Sequence, residues 1–175
     1  MDYRFAIQCW QDQAGSEDAK ANVFVDGVQV ATEVEITATS EDAPQLITWE
    51  STGLIAPAAD TTFDIKVELV NEYYVDSDTD RNIRINDIGY IPKHTDGNYW
   101  KTIDGVWTQV TDFNTLPNNY WNIIPTAVTG DQTPDDWWTG RDTDSFYTIV
   151  IWGGSGDITD SVGVTITIPV TGGAT

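Results

Sequence analysis

The chain has 175 residues, with 28 Asp and Glu against 8 Lys and Arg, which gives a formal net charge of -20. Such a negative surface repels phosphate backbones and anionic lipid headgroups, so the composition argues against nucleic acid and membrane partners. Because 40% of the residues are hydrophobic, the charge is expected to coat a folded core rather than belong to a disordered chain.

Hydrophobic residues alternate with a period of two along most of the chain. The N-terminal run RFAIQCW is followed by VFVDGVQV, in which Asp26-Gly27 favours a tight hairpin turn. Further alternating runs occupy residues 33–39, 45–50, 62–70, 81–91, 146–152 and 162–170. Asp104-Gly105 predicts a second hairpin. Since no long amphipathic helix is found, the sequence predicts an all-β, antiparallel sandwich.

The composition changes near Pro92 and Lys93. Residues 1–93 are rich in Val and Ile and are predicted to form the sandwich core. Residues 94–175 are rich in Trp, Pro, Asn and Asp. This second half is expected to be a Trp-rich β extension that completes the sandwich, or a small second β-unit, and the sequence leaves both options open.

Cys9 and His94 are the sole cysteine and histidine of the chain. Cys9 shares a strand face with Phe5 and Ile7, so we expect a buried, inert thiol and no intrachain disulfide. His94 follows Lys93 in a turn-like segment, and no serine nucleophile is paired with it. GGSGD lacks the final Gly of a nucleophile elbow. The sequence therefore predicts no catalytic residue and no enzymatic activity.

The stretch NEYYVDSDTDRNIRIN, residues 71–86, is unusually acidic. Asp76, Asp78 and Asp80 alternate, so a curled loop could turn three carboxylates towards one centre, as Ca²⁺ requires. The simplest alternative is a solvated loop that keeps sheet edges from aggregating. An EF-hand is disfavoured, because Arg81 stands where its sharp turn needs Gly and because both flanks have strand period.

The same stretch resembles the signature of the calcium-dependent xylan-binding carbohydrate-binding modules of families 36 and 60. The residues that carry the resemblance are Asn71-Glu72, Tyr73-Tyr74, the acidic loop, Asp80-Arg81-Asn82, the strand with Ile83, Ile85 and Ile88, and the early hairpin VFVDGVQV. The resemblance covers roughly residues 3–92. It implies a jelly-roll-like β-sandwich in which loop oxygens hold Ca²⁺ and the ion binds sugar hydroxyls.

Carried over to this chain, the resemblance implies a set of calcium ligands. Asp76 and Asp80 are the main carboxylate ligands, Asp78 supports them, and the carbonyl of Thr79 is an additional donor. Glu72 is a further ligand in the place of the more usual Asp. Arg81 and Asn82, the next two residues, are expected to be structural, with Arg81 neutralising nearby acid and Asn82 bonding the turn backbone. The loop lacks the Gly common in the family.

Aromatic side chains are the expected sugar contacts, because aromatic faces stack on pyranose rings. Tyr73 and Tyr74 adjoin the acidic loop, and Trp137 and Trp138 lie in the loop-like segment TPDDWWTGRD. The alternative for any one of the Trp residues is that it fills the core.

Two functions are consistent with these features. The first is non-catalytic, Ca²⁺-dependent binding of a glycan, either xylan-like or another polysaccharide. The second is a structural component of a phage virion, such as a decoration or fibre protein, or of an extracellular filament. In that case calcium only stabilises a loop, and the Trp-rich half contacts other copies of the chain or a capsid or tail protein. Both predict an extracellular or virion-surface location, although no classical signal peptide is visible.

Overall fold

A computed structural model describes residues 2–52, 61–112, 125–135, 148–152 and 161–170. The described residues form fourteen strands: β1 (Tyr3–Asp12), β2 (Ala19–Val25), β3 (Val28–Ile36), β4 (Gln45–Ser51), β5 (Thr61–Leu69), β6 (Tyr74–Asp76), β7 (Thr79–Asp80), β8 (Asn82–Pro92), β9 (Trp100–Ile103), β10 (Val106–Gln109), β11 (Ala127–Gly130), β12 (Gln132–Asp135), β13 (Thr148–Ile151) and β14 (Val162–Val170). Within these residues no helix is long and apolar enough to cross a membrane.

Two five-stranded sheets pack against each other. The first has the strand order β12-β13-β8-β1-β4, and the second has the order β11-β14-β5-β2-β3. The strand pairings within both sheets are antiparallel. The predicted all-β antiparallel sandwich is therefore confirmed. Of the strands that follow residue 93, β12 and β13 extend the first sheet, β11 and β14 extend the second, and β9 and β10 form a separate two-stranded sheet.

The main hydrophobic core fills the space between the two sheets. Alternate residues of β1, β8 and β13 meet alternate residues of β2, β5 and β14 there. Phe5 stacks on Trp49 with ring centroids 5.4 Å apart, and Phe63 meets Tyr3 edge-on. Full burial of each large apolar side chain contributes about 1.5–3 kcal/mol. The period-two pattern places these side chains on the inner face of each sheet, and so it specifies this packing.

A smaller cluster covers the opposite face of the first sheet. Ala6 and Ile91 lie on that face and pack with Tyr99 and Val110, and Ile103 is partly buried against them. The β9–β10 hairpin therefore lies against the outside of the sandwich, with one of its own faces turned to the first sheet.

The hairpin turns were predicted correctly, but one strand was not. Asp26 and Gly27 have φ values of 46° and 81°, as a tight two-residue turn requires. Residues 28–30 and 33–39 were expected to be separate strands, and this was wrong, because they merge into β3. Irregularities in its register with β2 absorb the extra residues, and the Glu33 amide at φ 45° donates to Asn22 Oδ1 over 2.9 Å.

Cys9 is buried in the main core, as predicted, with 1% of its surface exposed. Burial raises the pKa of the Cys9 thiol to about 12. Because the thiolate is the reactive form, we expect the native protein to leave a disulfide reagent unreacted for hours at mildly alkaline pH. In guanidinium the thiol should react at once. Rapid reaction of the native protein, followed by absorbance, would show that the thiol is accessible.

Candidate functional site

The acidic loop folds into a short hairpin between β5 and β8. Tyr74 of β6 pairs with Asp80 of β7, and Asp76 pairs with Thr79. The backbone amide of Asp78 donates to Asp76 Oδ1 over 3.1 Å, which is the local bond that Asp favours in turns. Asp76 and Asp78 are both exposed. Two of the three alternating carboxylates therefore project from the tip of the hairpin into solvent.

Arg81 fastens the base of this hairpin to the rest of the sandwich. It is 4% exposed, and its guanidinium donates to the carbonyl oxygens of Asn71 and Ala14, the latter over 2.6 Å. Its backbone amide donates to the carbonyl of Tyr73 over 2.8 Å, and its guanidinium lies 5.4 Å from the centre of the Tyr73 ring. The expectation that Arg81 neutralises nearby acid is only part of its role, because its hydrogen bonds go to carbonyls.

Asn71 provides a second attachment. Its Oδ1 accepts a hydrogen bond from the amide of Lys20, and its Nδ2 donates to the carbonyl of Asp18, both over 2.8 Å. The residue that precedes Glu72 is thus tied to the start of β2. These two attachments fix the position of Glu72.

Asn82 links two carboxylates at the start of β8. Its Nδ2 donates to Asp80 Oδ2 and to Asp12 Oδ2, each over 3.2 Å. Asp12, at the end of β1, also forms an ion pair with Arg84 at 2.9 Å. Asn82 was expected to bond the turn backbone, and this was wrong, because the pairing of β1 with β8 brings Asp12 within its reach.

Three oxygens that belong to Asp80 and to the two residues interacting with it, Glu72 and Asn82, are buried without a hydrogen-bond partner. They are Glu72 Oε1, Asp80 Oδ1 and Asn82 Oδ1, and we refer to them as the oxygen cluster. Glu72 and Asn82 are 4% and 7% exposed. A buried acceptor without a partner costs about 1–3 kcal/mol, so native structures normally supply a water or an ion. The oxygen cluster is therefore the part of the site that fits a cation.

Electrostatic interactions within the oxygen cluster are unfavourable in the absence of a cation. Burial raises the pKa of Glu72, the nearby charge of Asp80 raises it further, and Arg81 opposes the change. Burial also raises the pKa of Asp80, against the hydrogen bond from Asn82; the charge of Asp12 raises it, and Arg84 lowers it. A bound cation would favour the ionised form of both carboxylates.

The predicted calcium ligands have different surroundings in the structure. Glu72 and Asp80 interact with each other, whereas Asp76 and Asp78 are exposed. Across the described ranges, no three His, Cys, Asp or Glu side chains gather closely enough to hold a metal ion by themselves. The third oxygen of the oxygen cluster is Asn82 Oδ1, which belongs to a side chain that was predicted to bond the turn backbone. Its position two residues after Asp80 was the available signal.

The predicted aromatic sugar contacts are only partly described. Tyr73 is half-buried between Arg81 and Gly15, where an added Cβ on the glycine would lie 3.5 Å from the Tyr73 ring. Tyr74 is also half-buried and lies directly opposite Asp80 in the small hairpin. Trp137 and Trp138 lie outside the described residues. Of the two described tyrosines, Tyr74 is the one that the strand pairing places opposite Asp80.

Fold and site together define an antiparallel β-sandwich with a buried, acidic oxygen cluster at one strand end. No family model and no curated protein matches the chain. Among solved structures, it is similar to one described as "vCBM60 in complex with galactobiose", with 15% identity, a TM-score of 0.37, and coverage of 85% of this chain and 97% of that one. A likeness this distant carries no argument about the ligand of this chain.

Proposed function

We propose that this protein is a non-catalytic, calcium-dependent carbohydrate-binding β-sandwich. The observation that carries the proposal is the oxygen cluster, which comprises three buried oxygens without hydrogen-bond partners. Carboxylate and amide oxygens are the donors that Ca²⁺ takes in proteins, and a hard cation bound beside Asp80 would supply the partner that these oxygens lack. The residues therefore fit the ion that the sequence resemblance implies.

Glu72, Asp80 and Asn82 would hold the ion. When bound, Ca²⁺ supplies positive charge and open coordination positions that neighbouring hydroxyls of a sugar can fill. Asp76 and Asp78 are assigned to attracting the cation, because they are exposed and because Asp76 Oδ1 already accepts the amide of Asp78. Tyr74 offers an aromatic surface beside Asp80.

The ligand class follows from charge. A chain with a formal charge of -20 repels anionic partners, so an uncharged polysaccharide, xylan-like or another, is the partner that suits the site. The chemistry of the described residues is consistent with binding alone. Cys9 is buried, and His94 Nδ1 lies 3.6 Å from Asp96 Oδ1 and 3.4 Å from Thr95 Oγ1 in an exposed turn.

Calorimetry with xylo-oligosaccharides and galacto-oligosaccharides tests the proposal. We expect at least one of them to bind when calcium is present, to be released by EDTA, and to bind again when calcium is added in excess. The double variant Glu72→Gln, Asp80→Asn should abolish calcium binding, because it removes both buried charges. The matched variant Asp76→Asn, Asp78→Asn removes the same charge from the exposed tip and should weaken calcium binding by about threefold or less.

The outcomes are distinct. If no glycan binds in a calcium-dependent manner, the carbohydrate function is wrong. If calcium binds and raises the melting temperature while no glycan binds, the ion only stabilises the loop, as in the structural alternative. That alternative stays a prediction, since the Trp137-Trp138 region that it assigns to assembly lies outside the described residues.

A further inference from the structure

The β9–β10 hairpin carries two Trp side chains, Trp100 and Trp107, on one of its faces. Trp107 pairs with Thr102, and Gln109 pairs with Trp100, so these four side chains project on the same side. We call them the hairpin face. The opposite side carries Ile103, which packs on the smaller hydrophobic cluster beneath. The hairpin is therefore held by one side, and the hairpin face is turned away from the sandwich.

Trp107 is not explained by core packing. It is 47% exposed, and within the described residues neither hydrophobic cluster includes it. Thr102 and Gln109 beside it are exposed as well, and Trp100 is half-buried. An exposed Trp leaves a large apolar area in water, which is the feature that ligand and partner sites share. Stabilisation of the hairpin by the Trp pair is the alternative that a test must separate.

The two Trp rings are parallel and stack on each other. Their planes differ by 2°, and their centroids are 5.9 Å apart. Trp100 Nε1 donates to Asp96 Oδ2 over 2.8 Å, while Asp96 Oδ1 accepts the amide of Asn98 over 2.9 Å. The ring of His94 meets Trp107 edge-on at 5.9 Å. A ligand that stacks here therefore loses little binding free energy to the ordering of the rings.

The charge and chemistry of the hairpin face select the ligand. Thr102 and Gln109 offer a hydroxyl and an amide. The carboxylate of Asp96, which accepts the hydrogen bond from Trp100 Nε1, places a negative charge beside that ring. An anion is disfavoured by that carboxylate and by the formal charge of -20, and this applies to nucleic acid despite its stacking bases. A neutral ring with an apolar face and a rim of hydroxyls complements both features.

We propose that the hairpin face is a second, calcium-independent binding site for the pyranose rings of an uncharged glycan. A pyranose ring stacks on the exposed Trp107, whose own ring stacks on the half-buried Trp100. Thr102 and Gln109 hydrogen-bond the sugar hydroxyls. The proposal does not depend on the oxygen cluster, because no residue of the hairpin face belongs to that cluster.

The test is binding of soluble xylohexaose, cellohexaose and galacto-oligosaccharides in EDTA, measured by Trp fluorescence and by calorimetry. Chelation removes calcium-dependent binding, and the Trp107 variants then show whether the remaining binding belongs to the hairpin face. We expect Trp107→Ala to weaken this binding by about tenfold or more, and Trp107→Phe to retain most of it, because a stacking face remains. Val106→Ala is the matched control, since Val106 is 63% exposed on the other side of the same strand.

Three results would overturn the proposal. One is that none of these oligosaccharides binds the wild-type protein in EDTA. Another is that Trp107→Ala and Val106→Ala weaken binding equally. The last is that Trp107→Ala changes the sedimentation coefficient of the free protein, which would show that the hairpin face joins two copies of the chain. Melting temperatures of the variants show whether the fold is kept, and failure of the calcium-dependent site leaves all three readouts unaffected.

Discussion

Replacing Arg81 with Ala is expected to destabilise the protein by about 3 kcal/mol or more, with or without calcium. The change removes the donor from the buried carbonyl of Ala14 and from the partly buried carbonyl of Asn71, and each such loss costs about 1–3 kcal/mol. It also removes the guanidinium from the Tyr73 ring. Arg81→Lys should recover little, because an ammonium cannot reproduce the planar fork that reaches both carbonyls. Urea unfolding gives the free energies.

Arg84→Ala is the matched control for this prediction. Arg84 is 35% exposed and pairs with the partly exposed Asp12, so its loss should cost about 1 kcal/mol or less. Equal destabilisation by Arg81→Ala and Arg84→Ala would mean that the buried hydrogen bonds of Arg81 do not hold the acidic hairpin.

The second large effect is expected from the pH dependence of stability in EDTA. The pKa values of Glu72 and Asp80 are raised above 4.5 and 3.8 on folding. At a pH between the ordinary and the raised pKa values, the native protein therefore binds more protons than the unfolded chain. The contribution of these groups to stability is therefore complete below the ordinary values and is lost as the pH rises through the raised ones. Calcium should restore it at neutral pH.

Glu72→Gln isolates this effect. The variant has one charge fewer beside Asp80, so in EDTA it should melt at a higher temperature than the wild type at neutral pH, and the difference should vanish in acid. Calcium at about a hundred times its Kd should stabilise the wild type by about 2.7 kcal/mol and the variant by much less. Thermal melts across pH, with EDTA or calcium, measure both quantities.

Asp76→Asn is the control for the change of charge, because Asp76 is exposed at the tip of the hairpin. A wild-type protein that is less stable than Glu72→Gln in acid, or that gains nothing from calcium at neutral pH, would contradict the assignment of the oxygen cluster.

Local features of the site region were open to prediction, and its long-range contacts were not. The acidic loop, its turn residues and the flanking strands all follow from neighbouring letters of the sequence. The partners of Arg81 and Asn82 do not, because Ala14 and Asp12 lie 67 and 70 positions away from them. Only the pairing of β1 with β8 brings these segments together. For the same reason, the sequence could not show that Asn82 bonds Asp12.

The Trp pair is an intermediate case. Asp104-Gly105 was identified as a hairpin turn, and a two-residue turn fixes which residues pair across it. Counting outwards from the turn places Trp100 and Trp107 on one side, so their proximity could have been predicted. Which side faces solvent could not be read from the hairpin, because that depends on Ile103 packing against a sheet that is distant in sequence.

The sequence by itself determined the all-β architecture, the two Asp-Gly turns and the burial of Cys9, since each follows from period-two alternation or from the conformational preferences of neighbouring residues. The tertiary structure alone decided which acidic residues are brought together. Asp76, Asp78 and Asp80 are equivalent in the sequence pattern. In the structure Asp80 is half-buried and interacts with Glu72 and Asn82, whereas Asp76 and Asp78 are exposed. The physical reason is that desolvation and the approach of one side chain to another are properties of the packed sheets.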